Sequence, residues 1–210
     1  MNKSFCILIP TINRADLLRD ALEYYELLYP NTEKLILDNG NQEIVCYDKK
    51  ATIYKSEHNL GVAGSWNFLI KKGIEKGYGH FLVLNDDVIL KKHEDIINSI
   101  INAPKTNFFV CDPSNHWSSY ILSKHIYEKV GEFDENFKKC FYEDNDYAYR
   151  MKLASMDIHI IRELNPEEFL NNGSTLEYPE LRGDVENRDY YVKKWGGMPN
   201  FETYLTPFNQ

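Results

Sequence analysis

Apolar residues fall along this chain in two alternating rhythms. Short unbroken runs recur at Phe5-Cys6-Ile7-Leu8-Ile9, Leu35-Ile36-Leu37, Ala51-Thr52-Ile53-Tyr54, Phe81-Leu82-Val83-Leu84, Phe108-Phe109-Val110-Cys111 and Ser119-Tyr120-Ile121-Leu122. Such runs, bounded by turn residues, predict strands buried on both faces, as in a parallel sheet. The first run is expected to stop at Pro10. Between the runs lie stretches with helical spacing: Ala15 to Leu28 carries Leu17, Leu18, Ala21, Leu22, Tyr25 and Leu28. Further helices are expected over residues 64–74, 94–101, 123–131 and 144–154. This β-α-β-α order predicts an α/β fold, a Rossmann-like, mainly parallel sheet with helices on both faces. Residues 165–210 are rich in Asn, Glu, Gly, Pro and Tyr with weak periodicity, and are expected to form an irregular segment.

The 210 residues suit a single compact domain with a substantial core, and 43% hydrophobic with 27% charged residues is ordinary for a soluble protein. No apolar stretch approaches the roughly 20 residues that span a bilayer, so no transmembrane segment is expected. Met1-Asn2-Lys3-Ser4 runs straight into the first strand and does not read as a signal peptide. Four scattered cysteines (Cys6, Cys46, Cys111, Cys140) form no C-x-x-C pair, which predicts a reduced, cytoplasmic protein. The net charge of −8 argues against nucleic acid as a partner. An anionic diphosphate remains acceptable if a metal ion neutralises it locally.

Three strand ends carry polar residues: Pro10-Thr11-Ile12-Asn13-Arg14, Asp38-Asn39-Gly40 and Asn85-Asp86-Asp87. In a doubly wound sheet these ends share one rim, where ligands bind. Strand alternation predicts Asn85 and Asp87 on one side and Asp86 on the other. Two oxygen-bearing side chains there suit a hard cation, Mg²⁺ or Mn²⁺. Thr11 and Asp38 are placed to hydrogen-bond a nucleobase. Each cluster also has a structural alternative: Asn13 or Thr11 as a helix cap, Asp38-Asn39-Gly40 as a turn, Asp86 or Asp87 as a cap.

Residues 59–67 form a loop with Gly61 and Gly64 that opens a helix, where backbone can approach an anionic ligand. Its spacing is neither the dinucleotide fingerprint nor a Walker loop. A second acidic cluster, Glu143-Asp144-Asn145-Asp146, lies among Phe141, Tyr142 and Tyr147. Arg150, four residues beyond Asp146, is expected to ion-pair with it. That leaves Glu143 and Asp144 as candidates for a general base or for helix-start structure. Trp117, with His116, reads as either a sugar-stacking platform or a core tryptophan.

Taken together these residues resemble nucleotide-sugar glycosyltransferases of the GT-A fold, family 2 and its rhamnosyltransferase-like members. The resemblance rests on Ile9-Pro10-Thr11 with Asn13-Arg14, Asp38-Asn39-Gly40, Asn59-Leu60-Gly61 through Gly64 and Asn67, Leu84-Asn85-Asp86-Asp87, and Val130-Gly131-Glu132-Phe133-Asp134-Glu135 ahead of Tyr142-Glu143-Asp144. It spans about residues 5–155, and a large-virus capsid-glycosylating enzyme is a nearer relative to consider. It implies a single GT-A domain over 1–210, with residues 1–122 as the nucleotide-sugar half and 123–210 as the acceptor side and tail. It further implies that Thr11 and Asp38 contact the base, Asp86 the ribose, Asn13, Arg14, Gly64, Asn67 and Trp117 the rest of the donor. Asp87 with Asn85 would hold Mn²⁺ or Mg²⁺, and Asp144 of the Glu143-Asp144 pair would be the catalytic base. Three departures stand out: Asn85 opens the metal triplet in place of Asp, Trp66 precedes Asn67 where relatives often carry Arg, and Asn171-Asn172-Gly173-Ser174 stands where a histidine is often found.

The expected activity is metal-dependent, inverting transfer of a hexosyl or rhamnosyl group from a nucleoside-diphosphate sugar, UDP first, to a glycan or glycoprotein. The alternative is a non-catalytic nucleotide-sugar-binding or scaffolding domain of a larger protein. A sugar nucleotidyltransferase is a third class, disfavoured because Pro10-Thr11-Ile12-Asn13 occupies the place of a Gly- and Arg/Lys-rich triphosphate loop. If viral, the expected location is the host cytoplasm.

Overall fold

A computed structural model describes residues 5–90, 94–111, 117–161, 169–171, 180 and 182–210. Strands β1 (Cys6–Thr11), β2 (Lys34–Asp38), β3 (Ala51–Lys55), β4 (His80–Leu84), β6 (Asn107–Val110), β7 (Ser119–Ser123) and β8 (Asp157–Ile160) form one sheet in the order β3-β2-β1-β4-β7-β6-β8. Only β7 runs against the others. Only eight residues connect β6 to β7, fewer than the dozen or so that a crossover between parallel neighbours needs, so the two strands run antiparallel. Strand β5 (Val88–Leu90) leaves the sheet and pairs antiparallel with β9 (Phe169–Asn171).

Alternate strand residues feed two cores. Cys6, Leu8, Leu35, Leu37, Phe81 and Val83 face helices α2 (Gly61–Glu75), α4 (Lys124–Val130) and α5 (Glu143–Leu153). Ile7, Ile9, Ile36, Leu82 and Leu84 face α1 (Ala15–Leu28) and α3 (Glu94–Ile101). Full burial of each such side chain contributes roughly 1.5–3 kcal/mol. Helices therefore cover both faces, as the apolar runs predict.

Strand β1 does not stop at Pro10 but pairs with β2 through Thr11↔Asp38. Ile7 donates its N–H to Glu33 O on the β2 side, and alternate residues donate to that same side. Position 10 therefore faces β4, beyond the last paired residue there, Leu8. A missing N–H costs nothing at such a place.

The C-terminal segment is not irregular throughout. Helix α6 (Asp184–Trp195) precedes a short 3₁₀ turn at Pro207–Asn209. Its buried stripe is Asn187, Tyr191, Lys194 and Trp195, helical spacing realised with two polar residues. Tyr191 and Trp195 pack with Phe137 and Tyr149 in a small third core, and so fasten α6 to α5. Among the described residues no helix is long and apolar enough to cross a membrane.

Candidate active site

A cleft opens at the C-terminal ends of β1, β2 and β4, lined by Pro10, Thr11, Ile12, Asn39, Asn59, Gly61, Val62, Ser65, Asn85, Asp86, Lys139 and Cys140. Thr11 Oγ1 donates to Asp86 Oδ2 at 2.8 Å and accepts from Gln42 Nε2 at 3.1 Å. This bond ties two distant strand ends into one polar wall. Burial pushes the Asp86 carboxyl up to about 7; the Thr11 bond opposes the rise and the Asp87 charge adds to it.

The Asn85-Asp86-Asp87 triplet lies beyond the strand. Strand β4 ends at Leu84, Asn85 N–H donates to Ser118 O, and Val88 N–H donates to Asn85 O across a turn. Pleat alternation holds only inside a strand, so the expected split does not occur. Asn85 and Asp86 both line the cleft, and Asp87 is buried next to them. Among the described residues no group of three or more His, Cys, Asp or Glu gathers as a metal cluster. The donor set still fits a hard cation. It is oxygen only, Asp87 raises its neighbour Asp86 by charge, and Mg²⁺-type ions commonly take one or two protein carboxylates and leave the rest to phosphates and water.

Asp38 does not line the cleft. Its Oδ1 accepts from Gly40 N–H (3.1 Å) and Gln42 N–H (3.2 Å), so it shapes the turn, and Asn39 occupies the lining instead. Asn13 lies at φ 58°, tight against Gly40. The residue flanking α1 is Arg14, with no side-chain cap; its guanidinium binds Asp16.

The loop before α2 is held by two asparagines. Asn39 Nδ2 donates to Asn59 Oδ1, which also accepts from Gly61 N–H; Asn39 Oδ1 accepts from Leu60 N–H. Gly61 (φ +70°) is the glycine at the cleft, and a Cβ there would lie 3.0 Å from Lys139 O. Gly64 lies elsewhere, against Leu60 and Glu135. Asn67 is fully engaged away from the cleft, bonding Phe133 N–H and O, Glu135 Oε1 and the Tyr127 hydroxyl. Trp66 is buried in the core against Tyr120 and Phe133, and half-buried Trp117 packs with Phe108, Tyr120, Phe133 and Tyr147. His116 and Asn172-Gly173-Ser174 lie outside the described residues.

Helix α5 starts at Glu143, after Tyr142 in the left-handed conformation, and bears Glu143, Asp144 and Asp146 in its first turn. The predicted Arg150–Asp146 pair is present at 2.9 Å. Glu143 is buried and its Oε2 has no hydrogen-bond partner. Burial, then the charge of Asp144, raises its carboxyl well above the ordinary value of 4.5. Asp144 is only half-buried and caps Asn145 N–H at 2.7 Å. Both charges reach Tyr120, whose strand position opposite Val83 lies two residues from Asn85.

Glu143 makes stability depend on pH. Below its unfolded value of 4.5 both states hold the proton. As pH rises the unfolded state ionises while the folded state resists, so stability declines until the folded value is passed. Glu143→Gln abolishes that decline. Its melting temperature relative to wild type is expected to rise between about pH 4 and about pH 8; an unchanged difference would contradict the assignment.

Residues 6–159 match a family model described as Glycosyl transferase family 2. Similar folds occur among solved structures. The catalytic domain of Drosophila β1,4-galactosyltransferase 7 in complex with xylobiose superposes with a TM-score of 0.58 at 9% identity, over 82% of this chain and 72% of that one. A mutant of that enzyme in complex with manganese, UDP-Gal and xylobiose gives 0.55 at 8% identity with the same coverage, 82% and 72%. A glycosyltransferase involved in glycosylation of the major capsid of PBCV-1 gives 0.48 at 14% identity, over 85% and 99%. No curated protein matches the chain.

Proposed function

Since the chain belongs to glycosyl transferase family 2, we propose that it is an inverting enzyme that moves a sugar from a nucleoside-diphosphate sugar, UDP first, to a hydroxyl of a glycan or glycoprotein acceptor. The observation that carries this reading is the cleft whose wall is the Thr11–Asp86 bond at the ends of β1 and β4. Its lining offers the Asn85 amide and the Asn59 Nδ2 hydrogens left over from the Asn39–Asn59 bond for a nucleobase and ribose, with Asp86 as acceptor for a ribose hydroxyl. The Asp38 carboxylate acts from behind, by holding the 39–42 turn that presents Asn39.

Asp144 takes the proton from the acceptor hydroxyl as that oxygen attacks the anomeric carbon from the face opposite the diphosphate. Glu143, raised by burial, is unsuited to the ionised role and leaves it to its neighbour. Asp87 and Asn85 would hold a divalent cation, Mn²⁺ or Mg²⁺, which when bound neutralises charge on the leaving diphosphate. Four free cysteines suit a reducing compartment, and the cytoplasm is the proposed location.

A panel of UDP-, GDP- and dTDP-sugars tests the donor. UDP with Mn²⁺ is expected to raise the melting temperature, and Asp87→Ala to abolish the Mn²⁺-dependent part while leaving the metal-free shift. A Mn²⁺ response that survives Asp87→Ala would remove Asp87 from the metal site. One observation favours a second reading, a non-catalytic nucleotide-sugar-binding domain. Trp66, at the place where the resemblance often has Arg, is 2% exposed and packed in the core, so no cation reaches a diphosphate from there. Donor binding without hydrolysis or transfer under saturating Mn²⁺ would support it.

A further inference from the structure

We propose that Asn187 on α6 is a positioning residue, whose amide grips the backbone of residues 138–141 and thereby sets where α5 presents Asp144. The inference rests on the reading of Asp144 as the base. Asn187 Nδ2 donates to Lys138 O (2.8 Å), Cys140 O (3.0 Å) and Phe141 O (2.9 Å), and its Oδ1 accepts from Lys138 N–H (2.9 Å). The residue is 1% exposed. A carboxamide carries two donor hydrogens and an acceptor on one short stem; here the three carbonyls share the two hydrogens, and the oxygen takes the Lys138 N–H.

The gripped turn needs holding. Lys139 (φ 62°), Phe141 (φ 82°) and Tyr142 (φ 72°) are all left-handed without being glycine. Side chains disfavour that region, and such residues persist only where their surroundings fix them. Tyr142 immediately precedes Glu143-Asp144, so a relaxation of the turn would move the start of α5. Two elements fix it. Val62 N–H of α2 donates to Lys139 O at 2.7 Å, and α6 fixes the flanking positions through Asn187. The approach of α6 is close: a Cβ at Gly183 would lie 2.5 Å from Lys138 O and 2.7 Å from Asn187 Nδ2.

Helix α6 is itself anchored on α5. Lys194, seven residues and two turns beyond Asn187, bonds Asp146 Oδ1 at 2.6 Å and Asp134 Oδ2 at 2.7 Å, and Trp195 Nε1 donates to Asp146 Oδ1 at 2.8 Å. One face of one helix thus clasps both the turn and the helix the turn leads into. This helix lies outside the residues 6–159 matched by the family model.

The test compares wild type, Asn187→Ala, Gly183→Ala and Tyr191→Phe at a temperature where circular dichroism reports each folded. Gly183→Ala crowds both Lys138 O and the Asn187 amide while keeping the Asn187 side chain, and Tyr191→Phe is a control that removes a hydroxyl bond to Glu202 from the same helix. Hydrogen exchange of amides 139–146 is expected to accelerate at least about tenfold in Asn187→Ala while amides 190–196 stay protected. With whichever nucleotide sugar wild type turns over, kcat is expected to fall about 10- to 100-fold with the donor KM changed less than about threefold, because misplacing a catalytic group costs rate more than binding. Tyr191→Phe keeps wild-type kcat. Unchanged exchange at 139–146, or loosened exchange with unchanged kcat, overturns the proposal. If wild type turns over no donor, the transferase reading fails separately, and the exchange result alone decides whether the clasp exists. If Asn187→Ala does not fold, Gly183→Ala carries the same comparison.

Discussion

Replacing Asp144 by Asn is expected to slow sugar transfer by about 10²–10⁴-fold, the range for removing a general base. The substitution keeps the shape of the side chain and its acceptor oxygen, so the cap on Asn145 N–H survives. What it removes is the ability to take a proton. The cleft lining does not include Asp144, so if UDP is the donor nucleotide proposed above, the variant is expected to bind it with wild-type affinity. Stopped assays of UDP release, run beside a thermal-shift titration with UDP, separate the two effects. Transfer at a near-wild-type rate would show that the proton leaves by another route. Glu143→Gln is the companion variant. Its carboxyl is already pushed well above the ordinary range by burial, so its loss should affect the pH dependence of stability more than the rate.

The largest loss of stability is expected from Asp146→Ala, about 3–5 kcal/mol, the range for breaking a buried ion pair. Asp146 is fully buried and receives Lys194, Arg150 and the Trp195 indole N–H on its two oxygens. Removing it leaves Lys194, 6% exposed at its side chain, with Asp134 as its remaining carboxylate, and strands the indole N–H. Arg150 is less affected because it also donates to Val130 O and Glu132 O. At roughly 2–4 °C per kcal/mol for a chain of this size, the melting temperature should fall by on the order of 10 °C. Urea unfolding measures the free energy directly. A loss below about 1 kcal/mol would mean that the pair is no better than a solvated surface bridge.

Much of the N-terminal part of the sheet was legible because its signals are local. Continuous apolar runs identify β1, β2, β4 and β7, and the i, i+3, i+4 pattern identifies α1 over the same residues the structure shows, Ala15–Leu28. The Arg150–Asp146 bridge was legible for the same reason, since four residues on a helix always face each other. The short or exposed elements were not. Strand β8 is exposed at every residue, so no apolar run marks it, and β5 and β9 have three residues each. Helix α6 escaped because its buried stripe contains Asn187 and Lys194, polar side chains whose burial makes sense only once Asp146, Asp134 and the 138–141 carbonyls are in place.

Within the site, the strand-end clusters were visible but their division of labour was not. Asp38 and Asn39 differ by one residue, yet one folds back to shape a turn and the other lines the cleft. Gly61 and Gly64 differ by three, and the contact with Lys139 singles out the first. Asn67 and Trp66 carry nothing in sequence to mark them as core straps, whereas their partners Phe133 and Tyr120 lie more than fifty residues away.

The amino-acid order by itself determined the α/β class, the polar rim and the two acidic clusters, because hydrophobic period and turn chemistry act over a few residues and need no partner. The tertiary structure alone decided which of those polar groups meet. It closed Thr11 onto Asp86 across seventy-five positions, seated Asn187 on a turn forty-six to forty-nine residues away, and ended β4 before its acidic triplet. Hydrogen bonds and ion pairs between distant segments form only after the apolar faces have packed, so no local pattern announces them.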